Sequence, residues 1–156
     1  MSQINTVIFL DTGVLGMLIH PKGAAANLDC NKWLEELVKN GIEVVVPEIC
    51  DYELRREMVR RKNLESLKRL DDLGRFLRYL PLDTTSMRRA CEYWGQARQK
   101  GRPGADDKDL DADVILAAQA VLLAELEGWK PIVATTNRRH LELFIDAREW
   151  KNVTLL

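Results

Sequence analysis

The stretch VIFLDTGVLG, Val7 to Gly16, decides the fold. An apolar run climbs straight into Asp11 and then breaks into Thr12 and Gly13. A continuous apolar run closed by turn residues predicts a strand buried on both faces, as in a parallel sheet covered by helices. In open α/β sheets ligands bind beyond the carboxyl ends of such strands, so Asp11 falls where chemistry is expected. An ionised carboxylate at a buried strand end is costly unless something compensates for its lost hydration. A divalent metal ion, shared with acids further down the chain, would supply that compensation.

Downstream of this strand, Val14 to Ile19 opens a short helix that Pro21-Lys22-Gly23 interrupts. Asn27 or Asp29 caps a second helix, with Leu28, Trp33, Leu34, Leu37 and Val38 at helical spacing and Asn40-Gly41 as its stop. Ile42 to Val46 is a β-branched run ended by Pro47, the second parallel strand. The right-handed crossover of a βαβ unit then puts both strand ends on one edge of the sheet. Glu48 to Arg61 and the amphipathic Leu64 to Leu77 form a helical arm. Tyr79 to Leu82 is a short strand, and Thr84 or Ser86 caps a helix through Cys91, Trp94 and Ala97. Lys100 to Asp109 reads as a loop, and a helix from about Asp111 to Glu127 follows, stopped by Gly128. Pro131 to Ala134 is the next strand, a short helix runs through Leu143, and Val153 to Leu155 offers a last small strand.

With 156 residues, 46% hydrophobic and 30% charged, the chain reads as one soluble globular domain over residues 1–156. The richest apolar segment, Val114 to Ala124, is interrupted by Gln119 and falls far short of the roughly 20 residues of a membrane span. The N-terminal residues carry no secretory pattern, so a cytoplasmic location without a membrane is expected. Cys30, Cys50 and Cys91 are odd in number and far apart, which argues against a disulfide framework or a zinc site. A formal net charge of −1 gives no global attraction to nucleic acid, and polyanion binding must come from local patches.

Three acids recur at or near the carboxyl ends of predicted strands. Asp11 ends the first strand, Glu53 lies in the helix after the second, and Asp113 lies in the first predicted turn of the helix that returns to the sheet. Asn137 ends the later strand, in VATTN. Two carboxylates about 4 Å apart at an effective dielectric of 20 repel by roughly 4 kcal/mol, so a structure that gathers them needs a compensating cation. An oxygen-only cluster suits Mg²⁺ or Mn²⁺, whose bound water is a nucleophile for a phosphodiester. Taken singly, each acid also has a plain structural role as a cap, a solvated helix residue or a partner of the helix dipole. The residues alone stop at a metal-binding α/β domain.

The strand ending DTGVLG, the Glu53-Leu54 after the second strand, LDADVILAAQA and TTNRRHL, in this order and spacing, resemble the PIN domain, and within it the VapC-type toxins of toxin-antitoxin pairs. The resemblance covers nearly the whole chain. It implies a three-layer α/β/α fold with a mainly parallel central sheet, and a Mg²⁺- or Mn²⁺-dependent ribonuclease acting on single-stranded RNA. It implies as partners a small antitoxin protein and a second copy in a homodimer. Carried over residue by residue, the family's acids fall on Asp11, Glu53 and Asp113, with Thr12 and Thr135 as supporting hydroxyls. The fourth position, often an acid, is Asn137 here, which puts a second metal ion in doubt. Asp111 either points into the site or caps the helix, while Asp106, Asp107 and Asp109 belong to a solvated loop.

The densest basic group is Arg55, Arg56, Arg60, Arg61 and Lys62, with Arg69, Arg75 and Arg78 beyond it. By itself it is an ordinary solvated helix face. Arg138 and Arg139, beside Asn137, are better placed to touch substrate at the rim. Leu64, Leu67 and Leu70 suit either an internal contact or an antitoxin helix. His140 reads as a structural hydrogen-bonder, the tryptophans as core or interface anchors, and Cys50 and Asp51 flank the Glu53 face without an assigned role. A phosphatase of the haloacid dehalogenase type would need a second acid where Gly13 stands, and a receiver domain would need paired acids near the first strand. The remaining alternative is a catalytically weak or inactive PIN-fold module that binds RNA or protein.

Overall fold

Buried β-branched and aliphatic runs form the strands that position everything else. A computed structural model describes residues 5–21, 23–100, 107–138 and 141–154, with residues 107–109 described by backbone alone. The elements in chain order are β1 (Thr6–Leu10), α1 (Thr12–Ile19), α2 (Ala25–Lys39), β2 (Glu43–Pro47), α3 (Glu48–Arg60), α4 (Leu64–Phe76) and β3 (Arg78–Leu80). They continue with α5 (Thr84–Gln99), α6 (Asp107–Glu127), β4 (Lys130–Thr135), a 3-10 turn (Leu141–Leu143), β5 (Ala147–Glu149) and a second 3-10 turn (Trp150–Asn152).

Among the described residues one sheet runs in the order β3-β2-β1-β4-β5, and every neighbouring pair is parallel. The central strand β1 pairs Ile8 with Val44 on one side and Ile132 on the other. Val7 to Leu10 are buried to within 2% of full enclosure, as a strand covered on both faces requires. The chain steps from β1 to β2 to β3 in one direction and then returns to β4. Right-handed crossovers therefore place α1 to α4 on one face and α5 with α6 on the other, the three layers expected. The contacts agree: α1 packs against α2, α3 and α4, and α5 packs chiefly on α6. Between β1 and β4 the chain reverses its direction of travel across the sheet, and a crevice opens at such a switch point.

Several boundaries differ from the sequence reading, each for a physical reason. α2 begins at Ala25, so Asn27 and Asp29 lie inside it and the Ala24 N-cap has no side-chain bond. α5 is capped one residue early by Asp83, whose carboxylate accepts from the Ser86 amide at 2.7 Å. α6 begins at Asp107, because Leu110, Val114 and Ala118 continue one apolar stripe backwards against Ala90, Ala97, Tyr93 and Phe144. The loop expected at Lys100 to Asp109 is thus helical from residue 107, and residues 101–106 lie outside the described set. The last described strand is Ala147–Glu149 rather than Val153 to Leu155. Val153 is instead buried beyond the second 3-10 turn, with its carbonyl accepting from the Trp33 indole at 2.7 Å, and Leu155 is outside the described residues. The expected stops hold: Gly41 and Gly128 have φ of 75° and 70°, backbone that a β-carbon would strain.

Gln119 of α6 locks the sheet edge on which the site is built. It is 1% exposed, accepts from the Ile49 amide at 3.3 Å, and donates to the carbonyls of Leu80 (3.0 Å) and Pro81 (3.3 Å). One amide thereby joins the start of α3, the end of β3 and the middle of α6. Gln119→Leu keeps the volume but strands these buried backbone groups, and is expected to lower the unfolding free energy by about 1–3 kcal/mol. Urea denaturation measures this, and an unchanged midpoint would show that the groups find other partners.

Candidate metal centre

Asp11 extends the β1–β4 pairing by one residue, its amide donating to the Ala134 carbonyl at 3.0 Å. That bond fixes the carboxylate at the mouth of the switch point. One carboxylate oxygen accepts from the Thr12 amide at 2.7 Å, which makes Asp11 the N-cap of α1. The other accepts from the Thr135 hydroxyl at 2.5 Å. Thr135, fully buried at the end of β4, also receives the Asn137 amide at 2.9 Å, so the turn into Asn137 folds around the same hydroxyl. Gly13 permits this closeness: a β-carbon there would lie 2.3 Å from the Thr136 hydroxyl oxygen.

Thr12 ties the second acid to the first. While its amide holds Asp11, its hydroxyl donates to Glu53 at 2.9 Å. Glu53 is the sixth residue of α3, and α3 starts directly from the end of β2 at Pro47. Asp113 is the seventh residue of α6 rather than a first-turn acid. Neither position is within the first turn, where the helix dipole favours an acid, so that plain role fails for both. Cys50, three residues before Glu53 on α3, lies fully buried with its Sγ 3.8 Å from an Asp11 oxygen. Its thiol is held well above the usual range, chiefly by burial and then by the charges of Asp11, Glu53 and Asp113. Of the three acids, Asp11 is the one whose carboxylate meets this sulfur.

The sequence-predicted residues divide clearly. Asp11, Thr12, Glu53, Thr135 and the Asn137 backbone are joined by the hydrogen bonds above, and Asp113 acts on the same Cys50. Asp111 is not the cap of α6, which begins at Asp107. Two residues from Asp113 it faces about 200° around the helix, exposed beside the α5–α6 groove of Met87, Cys91 and Trp94. Arg138 is exposed and pairs with Glu142 at 3.3 Å, while Arg139 and His140 lie outside the described residues. Of the basic group, Arg55 bridges Asp51 and Asp71, and Arg60 and Arg61 both hold Glu57, whose carboxyl they pull down to about 2. Sequence reasoning assigned nothing to Cys50, although its spacing of three from Glu53 puts both on one helix face.

Among the described residues no three His, Cys, Asp or Glu side chains close into a ready-made metal cage. The donor set is still that of an open oxygen site. Asp11 and Glu53, joined through Thr12, bring two carboxylates from different elements to the edge, and the bonds to Asp11 come from neutral donors. Such a set fits a hard cation that keeps much of its own water, and it is unlike a thiolate–imidazole zinc site.

The PIN domain model matches residues 8–143. The chain belongs to the PIN domain family. PIN domains are generally nucleases, and hence hydrolases, that use divalent metal ions. The fold of this PIN domain resembles that of a chain of VapBC2 from Rickettsia felis, solved bound to a DNA fragment from their promoter. The TM-score there is 0.66 at 18% identity, over 91% of this chain and 97% of that one. VapBC-1 from nontypeable Haemophilus influenzae gives 0.62 at 15% identity, over 94% and 99%. The DNA-bound VapBC from Salmonella typhimurium gives 0.61 at 21% identity, over 95% and 99%. A search of curated protein sequences returned no match. Among the described residues no helix is long and apolar enough to cross a membrane.

The energetics of Asp11 can be measured without metal. Burial raises its carboxyl above the ordinary 3.8, against the lowering effects of Thr135, the Thr12 amide and Cys50. The folded state thus binds this proton more tightly than the unfolded chain. The resulting penalty is complete above the folded value and is relieved as pH falls toward 3.8. Asp11→Asn keeps an N-cap acceptor and removes the charge. In the presence of chelator it is expected to melt above the wild type at about neutral pH, with the gap closing in acid. Calorimetry across pH checks this, and a lower melting point at neutral pH would mean that the carboxylate is a net stabiliser.

Proposed function

We propose that this PIN domain is a metal-dependent endoribonuclease that cuts single-stranded RNA, and that it serves as the VapC-type toxin of a toxin-antitoxin pair. The observation that carries the proposal is the chain of hydrogen bonds that joins Asp11 to Glu53 through Thr12 at the switch point of the sheet, with Asp113 on the helix that returns to it. Three mutually repelling acids are costly to a fold that only binds, whereas a nuclease needs them. Asp11, Glu53 and Asp113 would hold Mg²⁺ or Mn²⁺, which supplies an activated water and charge neutralisation on the phosphate. The remaining work belongs to this chain's own groups. Thr135 and the Thr12 amide fix the plane of the Asp11 carboxylate, and the Thr12 hydroxyl fixes Glu53 relative to it. Such supporting bonds set ligand direction before any cation arrives.

The likeness to the VapBC structures supports an antitoxin as the protein partner, and the resemblance extends the proposal to a homodimer working in the cytoplasm as a single domain. Asn137 favours a single metal ion, because the fourth position supplies an amide in place of a charge. The same Asn137 is the observation that favours a second reading, a PIN-fold module that binds RNA or protein without cleaving it.

The test is cleavage of a panel of end-labelled single-stranded RNAs. Cleavage is expected to require Mg²⁺ or Mn²⁺ and to fall by about 100-fold or more in Asp11→Asn and in Asp113→Asn, the scale of a lost transition-state charge stabiliser. Thr135→Val, which loses only the supporting bond, is expected to weaken Mn²⁺ affinity by about 10- to 100-fold. Wild type is expected to gain thermal stability with Mn²⁺ and Asp11→Asn to gain none. Absence of cleavage across the panel with excess metal would favour the binding module, and a Mn²⁺ shift that survives Asp11→Asn would put the ion elsewhere.

A further inference from the structure

The residues just outside the acidic site carry one more feature. Tyr52 immediately precedes Glu53 and is 54% exposed. The other two tyrosines are absorbed into the fold: the Tyr79 hydroxyl donates to Asp51 at 2.7 Å, and Tyr93 stacks on Phe144 with ring centroids 4.7 Å apart. Tyr52 instead has the Arg56 guanidinium over its ring, 5.1 Å from the centroid. The same guanidinium lies 4.0 Å from a Glu53 oxygen and is 58% exposed on its side chain. Of the arginines on α3 and its C-cap, Arg55, Arg60 and Arg61 are committed to acids outside the site, while Arg56 is paired with Glu53. Trp94 and Arg98 on α5 repeat the stacked geometry at 5.1 Å, with Trp94 lining the α5–α6 groove rather than following an acid of the site in sequence.

We propose that Tyr52 and Arg56 form the substrate-holding rim of the site, Tyr52 stacking on a base next to the cleaved bond and Arg56 holding its phosphate. The proposal rests on the ribonuclease reading above and names the part of the protein that grips the strand. A single strand presents unstacked bases, and an exposed aromatic ring offers any of them a face without demanding a sequence. With the guanidinium over one face, Tyr52 is still 54% exposed. Arg56, spaced four residues from Tyr52 and three from Glu53, sits between the stacking ring and the acids, where a backbone phosphate leading into the site would pass. This pair supplies locally the positive charge that a chain of net −1 lacks globally.

The experiment measures binding of a fluorescent single-stranded RNA that the wild type cleaves, in the Asp11→Asn background so that no cleavage interferes. Tyr52→Ala is expected to weaken binding on the order of 10-fold, Tyr52→Phe to leave it nearly unchanged, and an abasic RNA to abolish the difference between Tyr and Ala. Arg56→Ala is expected to weaken binding and to flatten its salt dependence, with Arg56→Lys restoring part of both. Val59→Ala, one turn further along the exposed side of α3 and away from the acids, is expected to have no effect. Equal RNA affinity in Tyr52→Ala and its parent would overturn the rim, as would equal losses in Tyr52→Ala and Val59→Ala, which would mark the stripe as a protein contact. If the wild type cleaves no RNA, the ribonuclease reading fails first. A cleaving wild type with indifferent rim variants overturns only this inference.

Discussion

The Asp11 carboxylate is held by three neutral donors, the Thr12 amide at 2.7 Å, the Thr135 hydroxyl at 2.5 Å and the Cys50 thiol at 3.8 Å, with no cationic side chain among these bonds. Every other part of the edge is arranged to make that hold possible. β1 and β4 must be adjacent and in register for Thr135 to face Asp11, and α1 must start at once for Thr12 to turn its amide inward. α3 must leave β2 at Pro47 without a loop so that Glu53 meets the Thr12 hydroxyl. Neutral donors keep the carboxylate in place yet do not cancel its charge, and its carboxyl stays raised by burial. The fold therefore carries an electrostatic cost at one point.

That cost is bearable because the surrounding framework is over-determined. Gln119 ties α6 to the ends of β3 and the start of α3. A second set of polar contacts secures α3 and β3 from the other side: Tyr79 donates to Asp51, Arg55 joins Asp51 to Asp71 on α4, and the Leu82 amide reaches Glu48 at 2.7 Å. Asp51, although next in sequence to Cys50 and two from Glu53, thus serves the fold, while Cys50 and Glu53 bond to the residues of the site. A helix turns by about 100° per residue, so neighbouring acids on α3 have unrelated duties.

What could be read from the sequence follows the same physics. The central strands were legible because apolar runs such as Val7 to Leu10 and Ile132 to Ala134 have no other plausible place than a covered parallel sheet. Asp11, Glu53 and Asp113 followed from the strand ends. β5 was not legible, since Ala147-Arg148-Glu149 has little strand propensity and pairs with β4 only because Thr135, Ala134 and Val133 present an edge to it. The start of α6 was misplaced because polar residues 107–109 mask a stripe whose first member, Leu110, has its partners on α5. With that error went Asp111, whose supposed role depended on the helix beginning beside it. Cys50 stayed unassigned because a buried thiol looks like any small core residue until its neighbours across the sheet are known.

Asn137 shows how few charges such an edge can carry before a cation binds. With Asp11, Glu53 and Asp113 already bearing on one buried sulfur, a fourth carboxylate would add repulsion of roughly 4 kcal/mol for each partner it approached to about 4 Å. The chain must reach its folded state before any metal can be shared between residues separated by a hundred positions in sequence. An amide at 137 keeps a polar oxygen at the edge without charging it, and the backbone of that residue still serves the Thr135 hydroxyl. An uncharged side chain at 137 therefore adds no repulsion to that of the acids already at this edge. Asp11 and Glu53 are held in place through Thr12, whose amide and hydroxyl bind one carboxylate each, so the fixed geometry of this pair comes from neutral groups and adds no charge to the edge.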